Sequence, residues 1–349
     1  MAIQQSLRTT IETIKADFLT PVKIFKRLQG PYKFLLESSS KYEESGRYSF
    51  IGANPRKTYF SSQSQLHDLT HDTEKLYTYD GDLIQLLKQV MPRVSSLTEF
   101  PFIGGGVGYI RYGAGTPNLQ DEQMPEVQFH IYDTLIIFDH IKDEVTIVHT
   151  NIAAEHKTTD IESIIEQIQV GDIVNHSFEL NELQKQADNS IIASFIGDTF
   201  ELYRQLRIKI PGAYMYFIEF DGFSIIGSSK DSFISVNANN VTATNDPYYK
   251  EALTKVMDDL HEADLLSGQL QVGLHSLDAL QTMLPPKLTT ADCTPLKAYG
   301  SVLGYIGFNG QIDFTLANKV ITIENDKLYA TAETEQFDDL LQIFEQLRG

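Results

Sequence analysis

The stretch Phe34 to Pro55 reads FLLESSSKYEESGRYSFIGANP. Three apolar residues, Phe34, Leu35 and Leu36, run straight into Glu37 and Ser38. After a polar turn, Arg47, Tyr48, Ser49, Phe50, Ile51 and Gly52 resume the apolar text. Two short β-forming runs separated by polar residues predict paired strands with apolar residues on both faces. A carboxylate and a hydroxyl at the end of the buried part are what the mouth of a lined pocket needs. A plain core hairpin is the competing reading of the same residues.

Composition bounds what can be built around this hairpin. A chain of 349 residues, 42% hydrophobic and 21% charged, is able to bury a core in one large or two ordinary domains. Its formal net charge of -19 opposes attachment to nucleic-acid phosphates or an anionic membrane, because both would repel it. One cysteine, Cys293, excludes an internal disulfide framework and a multi-cysteine metal site. The first residues, MAIQQSLRTTIETIKADF, lack a continuous apolar core, and no stretch approaches membrane-spanning length, so the expected compartment is the cytoplasm.

Outward from the hairpin, helical spacing of Leu7, Ile11, Ile14 and Phe18 predicts a first amphipathic helix. A second is marked by Thr20 as cap, Pro21 at the first helical position and Gly30 as terminator. Residues 58–82 predict short strands at most, and Leu83, Leu86, Leu87 and Val90 predict a helix on the same sheet as the hairpin. Gly104, Gly105, Gly106 and Gly108 suggest a phosphate loop, but the lysine and hydroxyl pair that should follow is missing. Close approach of two backbones is the better account. Leu135 to Phe138 and Val145 to Val148 predict two strands, with Asp139 and His140 in a polar turn rather than an acid-base pair. The domain reading is an amino-terminal lobe over 1–150, a charged connection over 151–190 and a second lobe over 191–349. In the second lobe Asp198 caps a helix, and AYMYFIEF and FSIIG form a hairpin turning at Asp221 and Gly222. Asn309 and Gly310 predict a two-residue type I′ turn, and Phe337, Leu340, Leu341, Phe344 and Leu347 a final amphipathic helix.

FLLES followed by GRYSFIGANP, preceded by LTPVKIFKRL, resembles the amino-terminal region of the large subunit of anthranilate synthase, in the chorismate-utilizing enzyme family. A second dense match is AYGSVLGYIGFNGQIDFTLANKVITI, Ala298 to Ile323. The resemblance implies an α+β fold of two packed antiparallel sheets with outer helices. It implies conversion of chorismate and ammonia to anthranilate and pyruvate in tryptophan biosynthesis, with magnesium as cofactor, a glutamine amidotransferase subunit as partner and tryptophan as feedback inhibitor. Aminodeoxychorismate synthase and isochorismate synthase are sister readings on the same fold. An inactive remnant that binds tryptophan or a partner is a third.

Residue by residue, the resemblance assigns the inhibitor site to Glu37 and Ser38, and to Pro211, Tyr214 and Met215. Ile210 and Ala213 stand where the family has asparagine and a second proline. It assigns substrate carboxylates to Tyr299 and Lys319, with Lys287 also near substrate. Lys319 replaces the family's arginine, exchanging a two-pronged grip for a point charge. Magnesium ligands fall on Glu262 and Glu333, oxygen donors as a hard cation requires. Several further catalytic motifs of the family are not present intact, although their flanks are, at Val241 to Thr244, His261 to Asp264, Leu277 to Leu280 and Ala330 to Thr334.

Overall fold

The computed structural model describes residues 9–38, 46–71, 73–80, 83–94, 99–111, 114, 124–152, 160–186, 188–230, 232–237, 240–243 and 297–348. Among these residues lie two antiparallel sheets. One has eleven strands in the order β1-β10-β9-β3-β2-β13-β14-β19-β20-β12-β11, the other nine in the order β16-β15-β18-β17-β7-β8-β4-β5-β6. The larger sheet contains β1 (Thr9–Lys15), β2 (Phe34–Glu37), β3 (Tyr48–Gly52), β9 (Thr134–Asp139), β10 (Glu144–Thr150), β11 (Phe178–Lys185), β12 (Ser190–Gly197), β13 (Tyr214–Phe220), β14 (Phe223–Ser229), β19 (Lys319–Glu324) and β20 (Lys327–Ala332). The smaller contains β4 (Lys57–Ser62), β5 (Gln65–Thr70), β6 (Glu74–Thr78), β7 (Gly105–Ile110), β8 (Val127–Tyr132), β15 (Ser232–Asn237), β16 (Asn240–Ala243), β17 (Val302–Gly307) and β18 (Ile312–Leu316). This is the α+β class, with helices outside.

Three apolar clusters show the layering. Phe34, Phe50, Ile137 and Tyr216 of the large sheet meet Val107, Tyr109, Leu303 and Tyr305 of the small one. Because strand side chains alternate, Leu35, Met215, Phe217 and Ile321 turn to the other face. There they pack with residues of α1 (Pro21–Arg27), α3 (Ile161–Val170), α4 (Thr199–Lys209) and α5 (Thr334–Leu347). On the far side of the small sheet, Leu83, Ile84 and Leu87 of α2 (Leu83–Val90) pack with Tyr59, Leu66 and Phe129. The expectation that α2 shares the hairpin's sheet is therefore corrected.

Other expectations also change. Residues 9–15 form β1, an edge strand on β10, rather than a helix, and Leu7 lies outside the described residues. The β-branched run TTIETI suits an extended strand, and pairing with β10 overrides the helical spacing. Thr20 accepts from the Lys23 backbone N–H and Pro21 opens α1 as expected, but the helix ends at Arg27 with Leu28 already extended. Gly30, two residues further, has φ +115 and lies beside Asn54. At Asn309 and Gly310 only the glycine has positive φ. The Gly310 N–H donates to Gly307 O and the Gly307 N–H to Gln311 O, which makes a three-residue hairpin loop with glycine in the left-handed position, not a type I′ pair.

Both sheets draw strands from either side of residues 151–190. That stretch carries α3, capped by Asp160, and β11. The decisive pairing joins the chain's two halves: β2 lies between β3 and β13, with Met215 opposite Glu37 and Phe217 opposite Leu35. The glycine run does bring backbones together. A Cβ on Gly108 of β7 would sit 1.9 Å from the Gln128 carbonyl oxygen of β8. Asp139 accepts from the backbone N–H groups of Ile141 and Lys142, which is the polar turn expected there. No helix among the described residues is long and apolar enough to cross a membrane.

Candidate functional site

Where β2 and β13 run out beside each other, a cavity of about 440 Å³ opens between the two sheets. That is within the roughly 300–1,000 Å³ of small-molecule sites. Leu36, Glu37 and Ser38 enter from β2 and its end, and Tyr214, Met215 and Tyr216 from β13. The facing wall is Leu303, Gly304 and Tyr305 of β17, Asp313 and Thr315 of β18 and Ser235 of β15. Arg47, Tyr48, Phe50, Glu99 and Pro101 complete the lining.

Strand alternation separates the roles of these residues. Phe50 and Tyr305 meet edge to face with ring centroids 5.8 Å apart, supplying an aromatic wall. Glu37 and Met215 are cross-strand partners whose side chains turn towards α4. The Glu37 carboxylate accepts from the Tyr203 hydroxyl at 2.5 Å and from Arg207 Nε and Nη2 at 2.6 and 3.0 Å. Glu37 therefore anchors β2 to α4. Burial, and then the adjacent Glu37 charge, push the Tyr203 hydroxyl well above its ordinary pKa, so it stays a donor.

The cavity carries opposite charges. Arg47 donates through Nη2 to Asp139 Oδ2 at 2.9 Å while 40% of its side chain remains accessible, so its guanidinium has further donors to offer. Burial alone would raise Asp139. The bond from Arg47 and two backbone N–H groups outweigh it and hold the carboxyl below the usual range. Across the cavity, burial pushes Asp313 up to about 7, against hydrogen bonds from Ser232, Tyr214 and Ser235. A cation, an acid and aromatic walls in one cavity suit a small aromatic molecule bearing both an anionic and a cationic group.

Four of the five expected inhibitor-site residues, Glu37, Ser38, Tyr214 and Met215, thus line one cavity. Pro211 lies before β13 and is not among the lining residues. Ile210, in place of asparagine, packs against the helix-side core. Of the expected substrate residues, Tyr299 packs against the inter-sheet core. Lys319 opens β19 and borders a small helix-side cavity with Tyr203, Arg207 and Met215, where burial lowers its pKa. Tyr299 lines neither that cavity nor the inter-sheet one, so the two residues do not share a cavity. Lys287 and Glu262 lie outside the described residues. Glu333 is exposed at the start of α5, its two oxygens accepting from Asn318 Nδ2 and Gln336 Nε2. No group of three His, Cys, Asp or Glu stands together among the described residues.

Arg47 and Asp313 were not singled out by sequence reasoning. Alternation in the run Ile312, Asp313, Phe314, Thr315 puts Asp313 and Thr315 on the same face of a strand, but does not tell whether that face meets solvent or a second sheet.

The fold and its cavity define an α+β protein of two facing antiparallel sheets that encloses a cavity of small-molecule size at the meeting of distant chain segments. Residues 187–245 match the model of the chorismate binding enzyme family. The chain is 24% identical to anthranilate synthase component 1 of Lactococcus lactis subsp. lactis (strain IL1403), over 92% of this chain and 93% of that protein. It is 24% identical to the Bacillus subtilis (strain 168) protein of the same name, over 90% of this chain and 84% of that one. The crystal structure of anthranilate synthase component I from Streptococcus pneumoniae TIGR4 superposes with a TM-score of 0.59 at 18% identity, covering 96% of this chain and 98% of that one. Over most of its length the chain is thus similar to anthranilate synthase component 1 proteins, and one segment of it matches the chorismate binding enzyme family. The alignment with the Lactococcus protein spans 431 positions, more than the 349 residues of the chain, so that relative has internal sequence without a counterpart here.

Proposed function

We propose that this chain is the large subunit of an anthranilate synthase and that the inter-sheet cavity is its tryptophan feedback site. In the reaction, ammonia adds to the ring of chorismate, the ring hydroxyl leaves as water, and pyruvate is eliminated to give anthranilate. A glutamine amidotransferase subunit would supply the ammonia, and magnesium would be the cofactor that the resemblance implies. The observation that carries the reading is the convergence of Ser38 and Tyr214, from opposite halves of the chain, on one cavity with aromatic walls and both signs of charge. An indole fits against Phe50 and Tyr305. The carboxylate of tryptophan finds Arg47, which offers a guanidinium fork.

The test is to incubate the protein with chorismate, an ammonium salt and magnesium and to follow anthranilate by its fluorescence. The proposal expects anthranilate to form and added tryptophan to suppress it. Formation of aminodeoxychorismate or isochorismate would transfer the chain to a sister reaction. A second reading, a tryptophan-binding remnant without turnover, is favoured by the incomplete catalytic motifs and by the internal sequence that the Lactococcus and Bacillus subtilis relatives have and this chain lacks. Because the chain contains no tryptophan, added tryptophan is the only indole in solution, and its fluorescence anisotropy reports binding directly. Saturable binding with no product establishes the remnant reading. Product that is insensitive to tryptophan removes the feedback assignment.

A further inference from the structure

Among the described residues, Asp313 is the acidic group of the cavity wall held by neutral donors alone. It projects from β18 between its cross-strand neighbours Ser235 of β15 and Tyr305 of β17. Ser232 Oγ donates to its Oδ1 at 3.3 Å, and the hydroxyls of Tyr214 and Ser235 are its other hydrogen-bond partners. A carboxylate offers about four lone-pair positions, so three donors leave one, and the cavity is the space before it. Among the described residues no lysine, arginine or histidine pairs with it. By contrast Glu37 is committed to Arg207, and Glu99 binds Lys142 Nζ at 3.3 Å.

Desolvating a carboxylate without a cation is costly, and the site as it stands reduces that cost by keeping the group partly protonated. A ligand ammonium would supply the missing opposite charge. Among the described residues that line the same cavity, Arg47 is the cation that can meet a ligand carboxylate, while Phe50, Pro101, Leu303 and Tyr305 supply apolar surface for a ring.

Resting on the reading of this cavity as a tryptophan site, we infer that Asp313 accepts a hydrogen bond from the ligand's α-ammonium group and so selects aromatic amino acids over the corresponding aromatic acids. Burial and the hydroxyls of Ser232 and Ser235 of β15 and Tyr214 of β13 set its charge; Tyr305 of β17 stands beside it, and Arg47, Tyr48 and Glu99 lie along the same cavity. Deprotonation strengthens the acceptor, so tryptophan binds more tightly at pH 8 than at pH 6.

The experiment titrates the whole chain and its Asp313→Asn variant with tryptophan and with indole-3-propionate, which keeps the ring and the carboxylate but lacks the ammonium. The asparagine keeps the size and an oxygen acceptor for Tyr214. The variant should lose about tenfold or more in tryptophan affinity, the scale of a charge-assisted hydrogen bond, and should lose the difference between pH 6 and pH 8. Its affinity for indole-3-propionate should stay the same or rise. Equal weakening of both ligands would show that Asp313 only shapes the cavity, and unchanged tryptophan affinity would show that it does not touch the ammonium. Either result overturns the inference while leaving tryptophan binding in place. Wild-type protein that binds neither ligand overturns the tryptophan reading, and this inference with it.

Discussion

Glu37 at the end of β2 and Arg207 near the end of α4 form a two-pronged ion pair, Nε to Oε1 at 2.6 Å and Nη2 to Oε2 at 3.0 Å. The Glu37 side chain is 1% exposed, and Tyr203, one helical turn before Arg207, donates to the same carboxylate. This pair ties the strand that ends at the cavity to the helix layer behind the sheet.

Removing the carboxylate with Glu37→Ala strands Arg207 and Tyr203 in a buried setting. Breaking one side of such a pair costs about 3 kcal/mol. Urea unfolding of wild type, Glu37→Ala, Arg207→Ala and the double variant should show a strong coupling energy. A coupling near zero would mean that the pair does not hold β2 in place.

Ser38 is the hydroxyl nearest in sequence to that anchor, and it lines the cavity. Ser38→Ala should weaken tryptophan binding about tenfold while leaving the unfolding midpoint unchanged, as expected when a hydrogen bond to a charged group is lost from a ligand rather than from the fold. Unchanged affinity in a fluorescence titration would remove Ser38 from the site.

His130 on β8 is buried, stacked between Tyr32 and Phe220, with its Nδ1 on the Thr58 hydroxyl at 2.7 Å and its Nε2 without a partner. Burial pushes its pKa down to about 3. The folded state therefore disfavours the protonated ring, which the unfolded chain accepts from about pH 6.5 downwards. Its contribution is complete above that pH and is lost as pH falls towards 3. His130→Phe keeps the stacking and should flatten the fall of stability between pH 6 and pH 4 by up to about 1.4 kcal/mol per pH unit. Parallel curves for variant and wild type would contradict this.

Gly108 permits β7 and β8 to approach, and an added methyl would sit 1.9 Å from a backbone oxygen that has no freedom to yield. Gly108→Ala should abolish cooperative folding or shift its midpoint by many degrees, read by circular dichroism. A stable variant would show that the two strands tolerate separation.

Much of the architecture was legible because local signals agreed with the tertiary result. Asp198 caps α4 through the Phe200 N–H as its position predicts, and Gly222, with φ +80, turns the hairpin between Phe220 and Phe223. The errors arose where partners decided. Ile11 and Ile14 have helical spacing, but β10 recruits them into an edge strand, and Ile11 remains exposed. The sequence of lobes concealed that β2 and β13 are neighbours, because pairing across the whole chain leaves no local trace. The site was half legible. The resemblance pointed to Ser38 and Tyr214, which line the same cavity, but the outward turn of Glu37 to α4 depends on which face of β2 meets the second sheet. Asp313 acquires its role only from the strands on either side of it.

The most direct measurement is the crystal structure of this chain grown with tryptophan. The account predicts density in the inter-sheet cavity, with the indole against Phe50 and Tyr305, the carboxylate towards Arg47 and the ammonium towards Asp313. An empty cavity at saturating tryptophan, or tryptophan bound elsewhere, would contradict it.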